Sequence, residues 1–227
     1  MKILVRGEKI RSEELKLKLA NLNAASWTCI DDTDLISTNV ADFDIIFDLN
    51  FDDHSHQIQY MSQAEGKIVF VSAAKIQLAS VMQNLHLENL TLIGINALPG
   101  FINRKLAEVT IPHRDQMEKL DQAMKLLQWE YKQVDDRVGM VTPRIIFMII
   151  NEACYTVQEG TASMQDIDTS MKLGTNYPFG PFEWADRIGI RNVYETLDAM
   201  YTDTKDERYK ICALLKTHYL NNQPFYN

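Results

Sequence analysis

This sequence lacks most of what would place a protein outside the cell, in a membrane or on nucleic acid. Cysteine is scarce: Cys29, Cys154 and Cys212 are an odd number, lie far apart in apolar settings and form no C-x-x-C pair. Neither a disulfide framework nor a zinc site is expected from them, and a reducing compartment is the default. Basic residues are not in excess, with 23 Lys and Arg against 31 Asp and Glu and a net charge of -8. That balance argues against nucleic acid as a partner, since phosphate backbones are held by clustered cations. Long apolar runs are missing too, since the longest, Ile145 to Ile150, falls far below the ~20 residues needed to cross a bilayer. The opening Met1-Lys-Ile-Leu-Val carries no signal-peptide core. No repeats or low-complexity tracts occur. The expectation is a cytoplasmic globular protein with no nucleic-acid or membrane partner. The stretch Asp52-Asp53-His54-Ser55-His56 contains metal-ligand residue types, but no further pair closes a shell around an ion, so it reads as a loop before a helix and no metal is expected.

What is present is a change of pattern along the chain. Short β-branched runs at Lys2 to Val5, Trp27 to Ile30, Phe43 to Leu49, Lys67 to Ser72 and Leu90 to Ile95 read as strands, with a sixth possible at Ala107 to Ile111. Helical patterns at Ser12 to Leu22, His56 to Gln63 and Lys75 to Asn84 lie between them, an alternation that predicts βαβ units and a parallel sheet. From Arg114 the apolar residues recur at three- and four-residue steps, and after Pro143 the pattern stays helical. The predicted division is an α/β domain over 1–137 and an all-α domain over 138–227. Arg144 to Val157 is apolar on nearly every side, so it is expected at the centre of its domain or of a dimer. Ser163, with Asp166 three residues on, reads as a helix start, and Gly174 as the left-handed stop. Met140, Met148, Met164 and Met171 read as core filler, and His86, His113 and His218 as solvent-facing.

The run from Asp166 to Gly189, with its order Lys172-Leu-Gly-Thr-Asn-Tyr-Pro-Phe-Gly-Pro-Phe-Glu-Trp-Ala-Asp186, has no generic helical or loop purpose. It resembles the C-terminal domain signature of the 3-hydroxyacyl-CoA dehydrogenases, NAD-linked enzymes of fatty acid and butanoate metabolism. The likeness extends nearly gap-free from Val138 to Asp203. It is weaker over Gly94 to Val109, which resembles the family's strand-loop-strand, and upstream it concerns layout alone. The resemblance implies a shortened Rossmann-like parallel-sheet domain followed by an all-α domain of the family's type. It further implies NAD as cofactor, an acyl-CoA-type small molecule as ligand, and a homodimer formed through the helical domain.

Residue by residue the correspondence is partial. The family's first strand runs into G-x-G-x-x-G, whose glycines let backbone approach the pyrophosphate at a helix N-terminus. Here Val5-Arg-Gly-Glu-Lys-Ile-Arg-Ser12 keeps Gly7 alone, with Lys9 and Ser12 at the other glycine positions and the negative Glu8 where an anion would sit. Arg6, Lys9 and Arg11 read as exposed basic residues beside the helix start. Asp31 or Asp32 matches the ribose-binding acid, although acids at strand ends are common and a solvated turn is the favoured reading. Oxidising a hydroxyl by hydride transfer needs a base near neutral pH, for which the family uses a histidine oriented by a glutamate. Glu108 matches the glutamate, whereas the histidine position is Asn96, which cannot take a proton. The family's asparagine is Pro143 here, beside a retained Arg144, and its serine has no counterpart in register with Ser72.

Two readings stay open at this point. One is an active NAD-dependent dehydrogenase with an unusual site. The other is a pseudoenzyme, a relative with lost or altered oxidation that keeps an acyl-CoA-binding or scaffold role, including as an accessory to other subunits.

Overall fold

The computed structural model describes residues 1–31, 38–83 and 90–226. Asp32, His86 and the end of the helix expected at Asn84 lie outside these. The chain divides into two compact units, Met1–Met140 and Val141–Asn227. No helix among the described residues is long and apolar enough to cross a membrane.

Among the described residues the first unit is built on seven strands: β1 (Lys2–Arg6), β2 (Ser26–Ile30), β3 (Ile45–Asp48), β4 (Ile68–Ser72), β5 (Thr91–Ile95), β6 (Leu106–Thr110) and β7 (Glu130–Gln133). Their spatial order is β2-β1-β3-β4-β5-β6-β7. The first five are mutually parallel, β6 runs antiparallel to β5, and β7 is parallel to β6. Apolar residues fill β1, β3 and β4 because both faces of the sheet are covered. On one face Ile3, Val5, Phe47, Phe70, Ile93 and Ile95 pack with α1 (Lys9–Lys18) and α3 (Met117–Leu126); Leu4, Ile46, Val69, Val71 and Leu92 pack on the other with Phe51, Tyr60 and Met61. Phe47 and Phe70, neighbours in the β3–β4 register, stack with ring centroids 4.7 Å apart.

Several boundaries differ from expectation for local reasons. Helix α1 begins at Lys9, not Ser12, because Glu8 takes the non-helical entry position and the Ser12 hydroxyl turns back onto the Gly7 carbonyl at 3.3 Å. The segment expected as a helix from His56 is a 3-10 segment, Ser55–Gln63. The next helix, α2 (Leu78–Met82), starts late because the Asp136 carboxylate accepts the Leu78 and Ala79 N–H groups at 2.8 Å each. Strand β7 was not foreseen: its sequence Glu-Tyr-Lys-Gln is polar and largely exposed, as befits an edge. Beyond the end of β6, the Gln116 side chain continues the pairing of β5. Its Oε1 accepts from the Leu92 N–H at 3.3 Å and its Nε2 donates to the Leu90 carbonyl at 3.2 Å.

The second unit comprises α4 (Thr142–Gln158), α5 (Met164–Thr175), α6 (Pro181–Ile188), α7 (Ile190–Thr204) and α8 (Ala213–Leu220). Helix α4 is not surrounded within its unit, since Ile145 is 57% exposed. Nor does Gly174 end α5: the helix continues to Thr175, and Asn176 adopts the left-handed conformation at φ 57°. Of the four methionines expected in the core Met140 is buried, whereas Met148, Met164 and Met171 are half-buried. Cys154 and Cys212 are buried, but Cys29 is exposed on the edge strand.

Candidate functional site

At the carboxyl ends of β1, β3 and β4 the first unit buries a group of charges. Arg6 and Asp48 are direct partners in the β1–β3 register, and Arg6 Nη1 donates to the Asp48 carboxylate at 3.0 Å with both side chains essentially inaccessible. The Tyr60 hydroxyl donates to the same carboxylate oxygen at 2.7 Å. Burial pushes the Asp48 carboxyl up from the ordinary aspartate value, against the pull of Arg6 and Tyr60. Burial and the neighbouring Asp48 push the Tyr60 phenol well above its usual value. From the first turn of α1, Arg11 reaches across to donate to the Leu49 carbonyl at 2.6 Å. Arg11 also lies 3.7 Å from Asp53, which in turn receives the Lys75 ammonium at 2.6 Å. Asp52 accepts the N–H groups of Ala74 and Lys75 at 3.1 and 3.2 Å, and burial raises its pKa.

The loop from β5 to β6 carries the next candidates. Asn96 is buried at 7% exposure; its N–H donates to the Glu108 carbonyl at 3.3 Å, and its side-chain oxygen accepts from the Leu98 N–H at 3.4 Å. The structure therefore brings Asn96 and Glu108 together across the antiparallel pair. Both carboxylate oxygens of Glu14 on α1 take the Gly100 N–H, at 2.8 and 3.0 Å, which pins this loop to the helix. Burial raises the pKa of Glu14 despite that bond and the nearby Arg11 and Arg104.

In the helical unit the run from Asp166 to Gly189 is a set of mutual caps. Ser163 accepts the Asp166 N–H and starts α5 as expected. Asp168, 3% exposed, accepts the Phe182 and Glu183 N–H groups at 2.9 and 3.1 Å and so caps α6. Gly180 is required for that approach, because a Cβ there would lie 2.2 Å from the Asp168 Cγ. Glu183 accepts from the Gly180 N–H at 3.0 Å and from Lys172 at 2.5 Å. Asp186 accepts the Phe225 and Tyr226 N–H groups, both at 2.8 Å, and the Tyr226 hydroxyl returns to Asp168 at 2.9 Å. His218 is not isolated: half-buried, it takes part in this packing with its ring 4.3 Å from that of Phe225. Pro143 is buried in the first turn of α4, and the Arg144 guanidinium donates to the Tyr209 hydroxyl.

The Lys172 hydrogen bond, followed by the Gly180 N–H, holds the Glu183 carboxyl below its ordinary range. A depressed folded-state pKa contributes stability above the unfolded value that disappears as pH falls through the folded value. Glu183→Gln is therefore expected to lower Tm at pH 7, with the gap to the wild type closing as pH is taken below the usual carboxylate range. A gap of constant size from pH 7 to pH 3 would assign the effect to something other than this charge.

The family model for the 3-hydroxyacyl-CoA dehydrogenase C-terminal domain matches residues 139–224. The helical half thus matches the 3-hydroxyacyl-CoA dehydrogenase C-terminal domain. It is 44% identical over 84 residues to a 3-hydroxyadipyl-CoA dehydrogenase of Escherichia coli, covering 37% of this chain and 18% of that protein. It is 38% identical over 86 residues to a probable 3-hydroxybutyryl-CoA dehydrogenase of Bacillus subtilis, covering 38% of this chain and 30% of that protein. These matches thus span less than a third of the length of either relative. The whole fold matches the crystal structure of (S)-3-hydroxybutyryl-CoA dehydrogenase from Ralstonia eutropha with a TM-score of 0.73 over 97% of this chain and 93% of that one, at 20% identity.

The family is one of NAD-dependent dehydrogenases. At the turn where its dinucleotide would approach, the residues present do not fit one. Gly7 packs against Leu49, whose Cβ would lie 2.8 Å from an added Cβ, so the glycine serves the chain's own close packing. Lys9 is exposed as expected, with its side chain 89% accessible. Arg6 and Arg11, expected outside, are buried instead at 0% and 1% exposure. Asp31 is exposed just beyond β2. Sequence reasoning missed the roles of Asp48, Tyr60, Asp53 and Lys75. The signal available was a charge at the same end of two apolar runs, Ile3-Leu-Val-Arg6 and Ile45-Ile-Phe-Asp48, which a parallel register sets side by side.

Proposed function

We propose that this protein binds an acyl-CoA-type small molecule as a homodimer joined through its helical unit, and that it has lost or altered the NAD-dependent oxidation of 3-hydroxyacyl-CoA. The observation that carries this reading is Asn96. It stands where the family's histidine is expected, and its amide is held in a buried turn. An amide hydrogen-bonds but does not accept a proton near pH 7, and loss of a positioned base costs about 10²–10⁴-fold in rate. The ligand class follows from the relatives, which include 3-hydroxybutyryl-CoA and 3-hydroxyadipyl-CoA dehydrogenases. Self-association is supported by bare apolar side chains on the helical unit, with Val141 at 46%, Ile145 at 57%, Leu173 at 83% and Leu220 at 68% exposure.

The test pairs calorimetric titration of acetoacetyl-CoA with an NADH oxidation assay and light scattering. Acetoacetyl-CoA binding by a dimer without NADH oxidation is the expected result; turnover at the rates of an ordinary dehydrogenase would overturn the reading and establish an active enzyme using Glu108. Asn96→His is expected to give no gain in turnover, because restoring a base leaves the crevice beside α1 unchanged. A rise of a hundredfold or so in that assay would mean that the base alone was missing.

A further inference from the structure

Open parallel sheets take ligands in the crevice outside the carboxyl ends of the strands, at the point where strand order reverses. In this chain that point lies between β1 and β3, because β2 flanks β1 on one side and β3 on the other. The groups gathered there are the chain's own. The Arg11 side chain is 1% exposed, with its guanidinium on the Leu49 carbonyl and within 3.6 Å of Glu8 and 3.7 Å of Asp53. Lys75, 6% exposed, closes on Asp53 from the β4 side. Asp52 sits on two successive backbone N–H groups, those of Ala74 and Lys75. Asn50 takes the Glu8 N–H at the entry to α1, at 3.3 Å.

A guanidinium, an ammonium and a pair of consecutive N–H groups are the means by which proteins hold phosphate oxygens. Here the ammonium and the N–H pair are directed at the two aspartates that follow β3, and the guanidinium, hydrogen-bonded to the Leu49 carbonyl, lies 3.7 Å from one of them. We propose that Asp52 and Asp53 act as an internal ligand, occupying the anion position of the crevice from within and closing it to the diphosphate of a dinucleotide. Glu8 adds a third negative charge on Arg11, so an incoming diphosphate would meet carboxylates where it needs cations. The closure explains why the side chains of Arg11, on α1, and Lys75, after β4, are buried beside a turn that has no glycine cradle. It concerns the dinucleotide site alone and is separate from acyl-CoA binding.

The experiment has two arms. The wild-type protein is titrated with NADH, followed by fluorescence, and with inorganic pyrophosphate, followed by Tm against sodium chloride of equal ionic strength. No saturable response to either is expected. The Asp53→Asn and Asp52→Asn/Asp53→Asn variants should melt below the wild type and show a saturable Tm rise with pyrophosphate that chloride does not reproduce, of about 5 °C at about a hundredfold excess over Kd. Micromolar NADH binding by the wild type would overturn the inference, as would a folded Asp53→Asn variant indifferent to pyrophosphate. If neither variant folds, the wild-type titration decides alone. NADH binding without turnover would defeat this inference and leave the proposed function standing, whereas turnover would defeat both.

Discussion

Asp168→Ala is expected to destabilise the helical unit by about 3–5 kcal/mol, because hydrogen bonds to a charged group contribute roughly 1.5–3 kcal/mol each and buried donors left without partners cost more. Three donors converge on this carboxylate: the Phe182 and Glu183 N–H groups and the Tyr226 hydroxyl. The first two are among the orphan donors of the α6 N-terminus, where a negative charge is also favoured by the helix dipole. The loss should appear in urea unfolding as a lower midpoint with an unchanged slope. Asp168→Asn, which keeps one acceptor oxygen, should fall between the variant and the wild type. Tyr226→Phe, removing the most peripheral donor, should cost about 1 kcal/mol. A loss of less than about 1 kcal/mol for Asp168→Ala would mean that water replaces the carboxylate, and the cap would then explain little of why the run from Asp166 to Gly189 has its form.

Asp48→Ala is the second large effect, again about 3–5 kcal/mol, this time in the sheet unit. The substitution removes the strand-partner carboxylate of Arg6 and the acceptor of the Tyr60 hydroxyl from a place with no exposure. The cost comes from stranding a charge, not from losing an attraction, so removing both partners has a different outcome. Arg6→Met/Asp48→Leu should recover most of the stability, since an apolar pair of similar volume is often equal or better. A double-mutant cycle by urea unfolding measures the coupling directly. Equal losses for the single and double variants would show that packing, not charge, sets the cost at this site.

The sheet unit was legible in the sequence where its strands are apolar on both faces, and the helical unit wherever a cap is local. Ser163 with Asp166 was read correctly because both partners lie within one turn. Gly174 does not stop α5 because Asn176, another residue that tolerates the left-handed conformation, takes it two positions later. Strand β7 gave no signal because an edge strand needs no apolar face. The misjudged site residues share one cause: their partners are remote in sequence. Arg6 and Asp48 are 42 residues apart, and Arg11 reaches a carbonyl 38 residues on. A basic residue beside a helix start is ordinarily solvated, and only the register of β1 with β3 shows that these two are inside. Asp168 behaves alike, with its donors 14, 15 and 58 residues away.

Where β6 stops short, the β5 backbone would offer an open N–H and carbonyl to any passing extended chain, the usual starting point of strand-to-strand self-recruitment. One carboxamide, that of Gln116, stands in for a peptide unit at that place. Among the described residues, the safeguard against recruitment there is thus a side chain outside any strand. Gln116→Ala would leave the fold's core intact while raising its tendency to assemble into fibrous aggregates under partly unfolding conditions.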